Sequence, residues 1–81
     1  MKKEPEYTIR VIDARAMVHP EPFERVVEAL TSLARDERVK LVLDREPIPL
    51  YRFLQANGYE YRVSPQPGGI YEILIWEPVR K

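Results

Sequence analysis

An apolar repeat of three and four residues, from Phe23 to Ala34, constrains the fold of this chain more than any other feature. Its members are Phe23, Val26, Val27, Leu30, Leu33 and Ala34. This spacing gives a helix one apolar face. Pro20 and Pro22 suit a first helical turn, because the amides there have no partners within the helix. The sequence therefore predicts an amphipathic helix from this proline pair to about Arg35.

Segments with the alternation of β-strands lie on both sides of this helix. In residues 7–12, Tyr7, Ile9 and Val11 share one face, which predicts a first strand with that face well buried. Residues 39–43 predict a second strand, residues 59–63 a third, and residues 70–76 a fourth that is apolar on both faces.

A second, shorter helix is predicted between the second and third strands. Residues 44–49 form a polar segment with two prolines, and Leu50, Phe53 and Leu54 then supply an apolar helix face. Asn57 and Gly58 are a strong stop signal for this helix. Residues 64–69 contain two prolines and two glycines, which predicts a turn before the last strand.

The resulting order, β-α-β-α-β-β, predicts an α/β (α+β) fold. A strand–helix–strand unit is almost always right-handed with parallel strands, so we expect a two-layer sandwich with a four-stranded mixed sheet and both helices on one face. We expect residues 1–81 to form one domain with an ordered core at about 7–76. The sheet face without helices would carry Arg10, Lys40, Val42, Glu60 and Arg62.

The composition excludes several kinds of chemistry. The chain has 81 residues, no cysteine and a formal net charge of zero, from 13 basic and 13 acidic side chains. Without cysteine there is no disulfide, iron–sulfur cluster or thiol catalysis. Nucleic-acid-binding proteins usually carry a basic excess, so this balance disfavours such a partner. No apolar run could span a bilayer and the N-terminus lacks a signal-peptide pattern, so we expect a cytoplasmic protein.

Two proline-marked motifs resemble known families. Asp13-Ala14-Arg15 followed by His19-Pro20-Glu21-Pro22-Phe23 resembles the opening of the TusA/SirA-like sulfur-carrier family, in which a Cys-Pro-x-Pro motif begins the first helix. Residues 43–51 are similar to the allied domain-of-unknown-function family 2249, in which an Asp-x-x-Pro-x-Pro-Leu pattern follows the second strand. The resemblance spans residues 7–76 and implies the same two-layer fold.

The resemblance breaks at the functional residue of the sulfur carriers. There, the cysteine before Pro-x-Pro holds the persulfide, and His19 stands at that position here. The fold is therefore implied, but thiol-based sulfur transfer is not. His19 can bind a metal, accept a proton or hydrogen-bond a ligand, and alternatively it packs against or caps the start of the helix. A metal site needs three or four ligands, and His19 with Asp13 and Glu21 offers three at most.

The loops after the first two strands carry most of the candidate binding residues. If these strands are parallel, both loops open at one end of the sheet, and the N-termini of both helices meet there with unpaired amides. Arg15 and Arg45 would then complete a site for a small anion. Alternatively, Asp13 and Asp44 pair with these arginines or cap the helices. The candidate ligand-binding residues are Asp13, Arg15, His19, Glu21, Asp44 and Arg45.

These residues predict a non-catalytic module that binds a partner protein or a small anionic ligand. Ser32 lies within the predicted helix and Ser64 in the predicted turn, with no base placed beside either. We expect no cofactor other than a metal at His19. The alternative is a metal-binding or accessory protein, and the resemblance implies redox or nitrogen-oxide metabolism as its setting. The fourth strand, which is apolar on both faces, also predicts a partner on the open sheet face, such as a homodimer.

Overall fold

Strands and helices alternate in the order predicted from the sequence. The computed structural model describes residues 7–18 and 20–78. The elements are β1 (Thr8–Asp13), α1 (Glu21–Thr31), β2 (Glu37–Leu43), α2 (Ile48–Ala56), β3 (Glu60–Gln66), a single 3-10 turn (Pro67–Gly69) and β4 (Ile70–Trp76). Among these described residues, no helix has the length and apolar character needed to cross a membrane.

The sheet is mixed, as predicted, with the strand order β1-β2-β4-β3. β1 runs parallel to β2, while β4 is antiparallel to both β2 and β3. Backbone bonds extend the parallel pair at both ends, from the Thr8 amide to the Asp36 carbonyl (2.9 Å) and from the Ala14 amide to the Val42 carbonyl (2.7 Å). The chain after β1 therefore leaves the sheet beside the chain after β2.

The core lies between the sheet and the two helices. Every second residue of β2 is buried there, and β4 places Ile73 and Ile75 beside Leu41 and Val39 in the antiparallel register. The buried apolar side chains are Ala14, Val26, Ala29, Leu30, Val39, Leu41, Leu43, Leu50, Leu54, Ile73 and Ile75. All of them except Ala14, which follows β1, come from the two helices and the two central strands, which explains the two-layer architecture.

Aromatic contacts fix α2 against its neighbours. Phe23 of α1 meets Phe53 of α2 edge to face, with ring centroids 5.4 Å apart. Tyr51 of α2 stacks on Tyr61 of β3 at 5.0 Å, and Gln55 donates a hydrogen bond of 2.7 Å to the Tyr61 hydroxyl. Such pairs contribute beyond their buried area because the ring quadrupoles are favourably arranged.

The predicted burial of β1 is wrong. Tyr7, Ile9 and Val11 are 41%, 43% and 60% exposed. The parallel register places Ile9 beside Arg38 and Val11 beside Lys40, on the face that carries no helix. β1 is also an edge strand, so it has a neighbour on one side only. Its more apolar face therefore faces outward.

Arg10 was expected on the open face and instead lies on the helix side. It is level with Val39, whose side chain is buried in the core. Its guanidinium donates two hydrogen bonds to the Glu37 carboxylate (3.0 and 2.9 Å) and one to the Ser32 hydroxyl (3.2 Å). The Glu37 carboxylate neutralises the charge of the Arg10 guanidinium, which lies at the margin of the core.

α1 ends at Thr31, four residues before the predicted end at Arg35. The hydroxyls of Thr31 and Ser32 bond back to the carbonyls of Glu28 (2.7 Å) and Ala29 (3.3 Å). Such side-chain bonds compete with helical hydrogen bonding and favour termination. The chain then turns, and the Glu37 amide closes the turn with a bond of 3.0 Å to the Ala34 carbonyl. β2 begins at Glu37, two residues before the predicted Val39.

β3 continues through three residues that were predicted as turn. Ser64, Pro65 and Gln66 pair with Glu72, Tyr71 and Ile70. A proline fits here because β3 is an edge strand, which needs hydrogen-bond donors toward one neighbour only. The reversal is confined to Pro67–Gly69, where Gly68 and Gly69 have φ of 79° and 77°. Only glycine adopts such angles without strain.

Candidate functional site at the rim of the two helix starts

The loops after β1 and β2 lie at one edge of the molecule, which we call the rim (residues 13–18, 20–24 and 44–50). The parallel pairing of β1 with β2 brings the loops together, and the Ala14 amide bonds the start of the first loop to the Val42 carbonyl near the end of β2 at 2.7 Å. The predicted convergence of the two helix starts is therefore confirmed for the described residues. His19 belongs to the first loop and lies outside the described residues.

A small apolar pocket lies between the two helix starts. Its volume is about 110 Å³. The lining residues are Pro22, Phe23, Leu41, Leu43, Arg45, Glu46, Pro47, Pro49 and Leu50. The sequence places Phe23 and Leu50 on the apolar faces of the two helices and does not predict an open pocket beside them. The available signal was the pair of Pro-x-Pro motifs followed by an apolar residue, Pro22-Phe23 and Pro49-Leu50, one at each helix start.

The volume of the pocket limits what it can accept. Sites for small molecules usually measure about 300–1,000 Å³. A dry apolar cavity of about 150 Å³ holds a single benzene molecule. At about 110 Å³, the rim pocket has space for one apolar side chain and not for a drug-sized molecule.

Asp13 and Arg15 form a local pair at the rim. The Arg15 guanidinium donates to both carboxylate oxygens of Asp13, at 2.9 and 2.7 Å, and the Arg15 amide adds a bond of 3.2 Å. These hydrogen bonds favour the carboxylate and lower the pKa of Asp13 to about 2. Both side chains are about half exposed. Arg15 therefore brings its own counter-charge to the rim.

The other charged candidates also pair with near neighbours. Arg45 lies 3.3 Å from Asp44, and Glu21 lies 3.7 Å from Arg25, one turn along α1. In the described residues, neither helix start receives a hydrogen bond from a capping side chain, so Asp13 and Asp44 pair rather than cap. The sequence left open whether Asp13 and Asp44 pair with the arginines or cap the helices, and in the structure they pair with the arginines.

The expectation of unpaired amides is wrong at α2. The Ile48 amide bonds to the Glu46 carbonyl and the Leu50 amide to the Pro47 carbonyl, both at 3.0 Å, and the intervening Pro49 has no N–H. At α1, the Glu21 and Glu24 amides bond to the carbonyls of Val18 and Pro20 at 2.9 and 3.1 Å. Anion cradles at helix starts depend on free backbone donors, so these proline-rich starts favour apolar contacts instead.

Glu46 is held beside the pocket by α2. The Tyr51 hydroxyl donates a hydrogen bond of 3.2 Å to the Glu46 carboxylate. Partial burial raises the pKa of Tyr51 well above its ordinary value, and the Glu46 charge adds to the effect. The hydroxyl therefore stays a donor at neutral pH, which restrains a carboxylate next to Arg45 and the apolar walls.

The described residues contain no group of three or more histidine, aspartate or glutamate side chains that could hold a metal ion. Asp13 and Glu21, which were expected to join His19 as ligands, pair instead with Arg15 and Arg25. Since His19 lies outside the described residues, a metal site at His19 stays a prediction.

The sequence matches one family of uncharacterized proteins. The sequence profile described as "uncharacterized conserved protein (DUF2249)" matches residues 11–77. This segment begins within β1 and ends after β4, so it includes the whole rim. No functionally curated protein matches the sequence significantly.

A solved structure has the same architecture. The crystal structure of a SirA-like protein from Desulfitobacterium hafniense superposes with a TM-score of 0.71 at 28% sequence identity. The match covers 83% of this chain and 93% of the other. The fold predicted from periodicity and from the SirA-like resemblance is therefore confirmed.

Proposed function

The chain belongs to the DUF2249 family of uncharacterized conserved proteins, and we propose that it is a non-catalytic interaction module that receives one apolar side chain of a partner protein at the rim. The apolar pocket between the starts of α1 and α2 carries this proposal. Its position next to two loops suits recognition, since binding residues usually lie on loops held by a rigid scaffold.

The size of the pocket favours a protein partner over a small metabolite. A volume of about 110 Å³ is below the usual range for small-molecule sites, but it suits a single anchoring side chain. Protein interfaces commonly concentrate their binding energy in one or two such anchors within a ring of polar contacts. Arg45 and Glu46 on the pocket wall would contribute to the polar ring.

Thiol-based sulfur carriage is not part of the proposal. The chain has no cysteine, so it has no side chain that could hold a persulfide. If the chain acts together with sulfur-handling or redox proteins, it does so by binding them.

Titration with N-acetyl-leucine methylamide tests the pocket, because this compound presents one apolar side chain between two amides. We expect shifts in the ¹H–¹⁵N spectrum centred on Phe23, Leu43 and Leu50, with a Kd on the order of 1 mM for so small a compound. Inorganic phosphate at the same concentration serves as the second ligand.

Two variants of the first turn of α2 provide a matched comparison. Pro49→Glu places a charge on the pocket wall, and Ile48→Glu introduces the same residue at an exposed neighbour that does not line the pocket. Glutamate is favourable in a first helical turn, so both variants should fold. We expect Pro49→Glu to abolish binding and Ile48→Glu to preserve it.

Three results would contradict the proposal. The first is the absence of shifts at the pocket, and the second is equal binding by both variants. The third is a response to phosphate alone at the amides of Arg15 and Arg45, which would favour a small anionic ligand. Metal analysis of the purified protein, repeated on His19→Ala, tests the alternative of a metal-binding protein separately.

A further inference from the structure

The outer side of β1 offers unpaired backbone groups. The amides of Thr8 and Ala14 point inward to β2. Since successive amides of a strand alternate in direction, those of Ile9, Val11 and Asp13 point outward. No segment within residues 7–18 and 20–78 pairs with this side.

Three of the five exposed large apolar side chains of the described surface lie on β1 or directly before it. Ile9 and Val11 lie on β1 and Tyr7 directly precedes it, and only Val18 and Ile48 elsewhere in the described chain are comparably exposed. An exposed apolar edge strand is a template for pairing with another chain unless it is guarded.

The opposite edge of the sheet is guarded. β3 has Pro65 in its ladder, and it exposes the charged side chains of Glu60 and Arg62. Prolines and charges of this kind block the addition of a further strand. On β1, in contrast, Ile9 and Val11 are apolar, and the charged side chains of the strand, Arg10 and Asp13, are paired with Glu37 and Arg15 of the same chain. The two edges therefore differ in a way that marks β1 as the one that pairs.

A groove of about 510 Å³ runs beside β1, between this strand and α1. Its lining includes Ile12, Met17 and Ala29 together with two cations, Arg10 and Arg25, and two anions, Asp13 and Glu28. A groove between an edge strand and a helix suits strand addition, because the main chain of the incoming strand bonds to the edge while alternate side chains enter the groove.

We propose that the occupant is a second copy of this chain, whose β1 pairs antiparallel with the first across a two-fold axis. With Val11 opposite Val11 of the second copy, the outward amides of the two strands bond to each other. Ile12 and Arg10 of each copy then lie beside the groove of the other, while Arg10 keeps its bonds to Glu37 and Ser32 of its own chain. The product is a continuous sheet of eight strands whose two free edges are the guarded β3 strands.

The charges of the groove favour a second copy over an unlike peptide. A two-fold interface places the same patch on both sides, so the patch must complement itself. The groove holds equal numbers of cationic and anionic side chains, so its net charge is zero and two copies can face each other without repulsion. The groove shares no lining residue with the rim pocket, so the dimer and the proposed partner do not compete.

Sedimentation velocity of the full chain tests the dimer. We expect the wild type to sediment at twice the mass of one chain. Val11→Lys places like charges together at the axis, so we expect it to raise the dissociation constant about tenfold or more. Ile48→Lys is the matched control, since it introduces the same charge at an exposed residue of α2. It should sediment as the wild type does.

Amide hydrogen exchange of the wild type gives a second readout that needs no variant. The Ile9 and Val11 amides should exchange slowly at concentrations where the dimer forms and faster on dilution. Three results would overturn the proposal: a monomer at all concentrations with fast exchange at both amides, a dimer that Val11→Lys leaves unchanged, or a monomer with slow exchange, which would mean that the chain covers its own edge.

Discussion

Glu37 joins three parts of the chain through one carboxylate. It accepts two hydrogen bonds from Arg10 of β1, at 3.0 and 2.9 Å, and a third at 3.1 Å from the Ala34 amide in the turn after α1. Its side chain is only 17% exposed. A paired charge at the margin of a core is costly to break when one partner is removed, because the other is left uncompensated.

The first prediction concerns the pH dependence of this contact. The Ala34 amide and the Arg10 guanidinium lower the pKa of Glu37 below its ordinary value of 4.5. The carboxylate therefore stabilises the fold fully above pH 4.5, and this contribution is lost as the pH falls through the lowered pKa. We expect Glu37→Gln to reduce the urea midpoint at neutral pH, with a difference from the wild type that shrinks in acid.

Glu21→Gln is the control for this prediction. Glu21 is about half exposed and lies 3.7 Å from Arg25, so removing its charge should have a small effect at any pH. Asp13 also loses its charge in strong acid. Since the wild type and both variants contain Asp13, its effect on the urea midpoint cancels in the comparison. Equal midpoints for the two variants at neutral pH would mean that Glu37 does not join the three segments.

At the scale of elements, periodicity predicted the order of strands and helices but not which face of β1 is buried. Tyr7, Ile9 and Val11 form the more apolar face by composition alone. The register with β2 decides the matter, because Arg10 and Ile12 lie level with the buried Val39 and Leu41. That register depends on long-range packing of β2 beneath α1, which local alternation does not encode.

Substitutions on the two faces of the sheet test this assignment. Leu41 of β2 is fully buried under the helices, whereas Leu74 of β4 lies on the open face and is partly buried. We expect Leu41→Ala to lower the free energy of unfolding by about 2–5 kcal/mol because it leaves a cavity in a packed core. Leu74→Ala should cost clearly less. Urea unfolding monitored by circular dichroism measures both, and a larger loss for Leu74→Ala would mean that the faces are reversed.

At the scale of the whole molecule, the rim follows from topology and the pocket follows from packing. The convergence of the two helix starts could be predicted, because parallel neighbouring strands must release their loops at one end. The pocket could not be predicted, because Phe23, Leu43 and Leu50 have the same apolar character as residues that fill the core. Its walls include Pro47 and Pro49 at one helix start and Pro22 at the other.

The charged residues of the rim predicted its binding properties less well than the topology predicted its position. Arg15 and Arg45 suggested an anion site, but each lies against an aspartate two or fewer residues away. Sequence proximity made that pairing foreseeable, whereas the loss of free amides at α2 depended on the local turn around Pro47. The rim therefore combines locally neutralised charges with an apolar centre.

The central claim is that this apolar centre accepts a side chain from outside the molecule. Intermolecular nuclear Overhauser effects between the methyl groups of N-acetyl-leucine methylamide and the ring of Phe23 test it most directly. We predict cross-peaks to Phe23 and to the Leu50 methyl groups in the wild type and in Ile48→Glu, and their loss in Pro49→Glu. Cross-peaks only to Ile9 and Val11 of the β1 edge, or none at saturating ligand, would contradict the account.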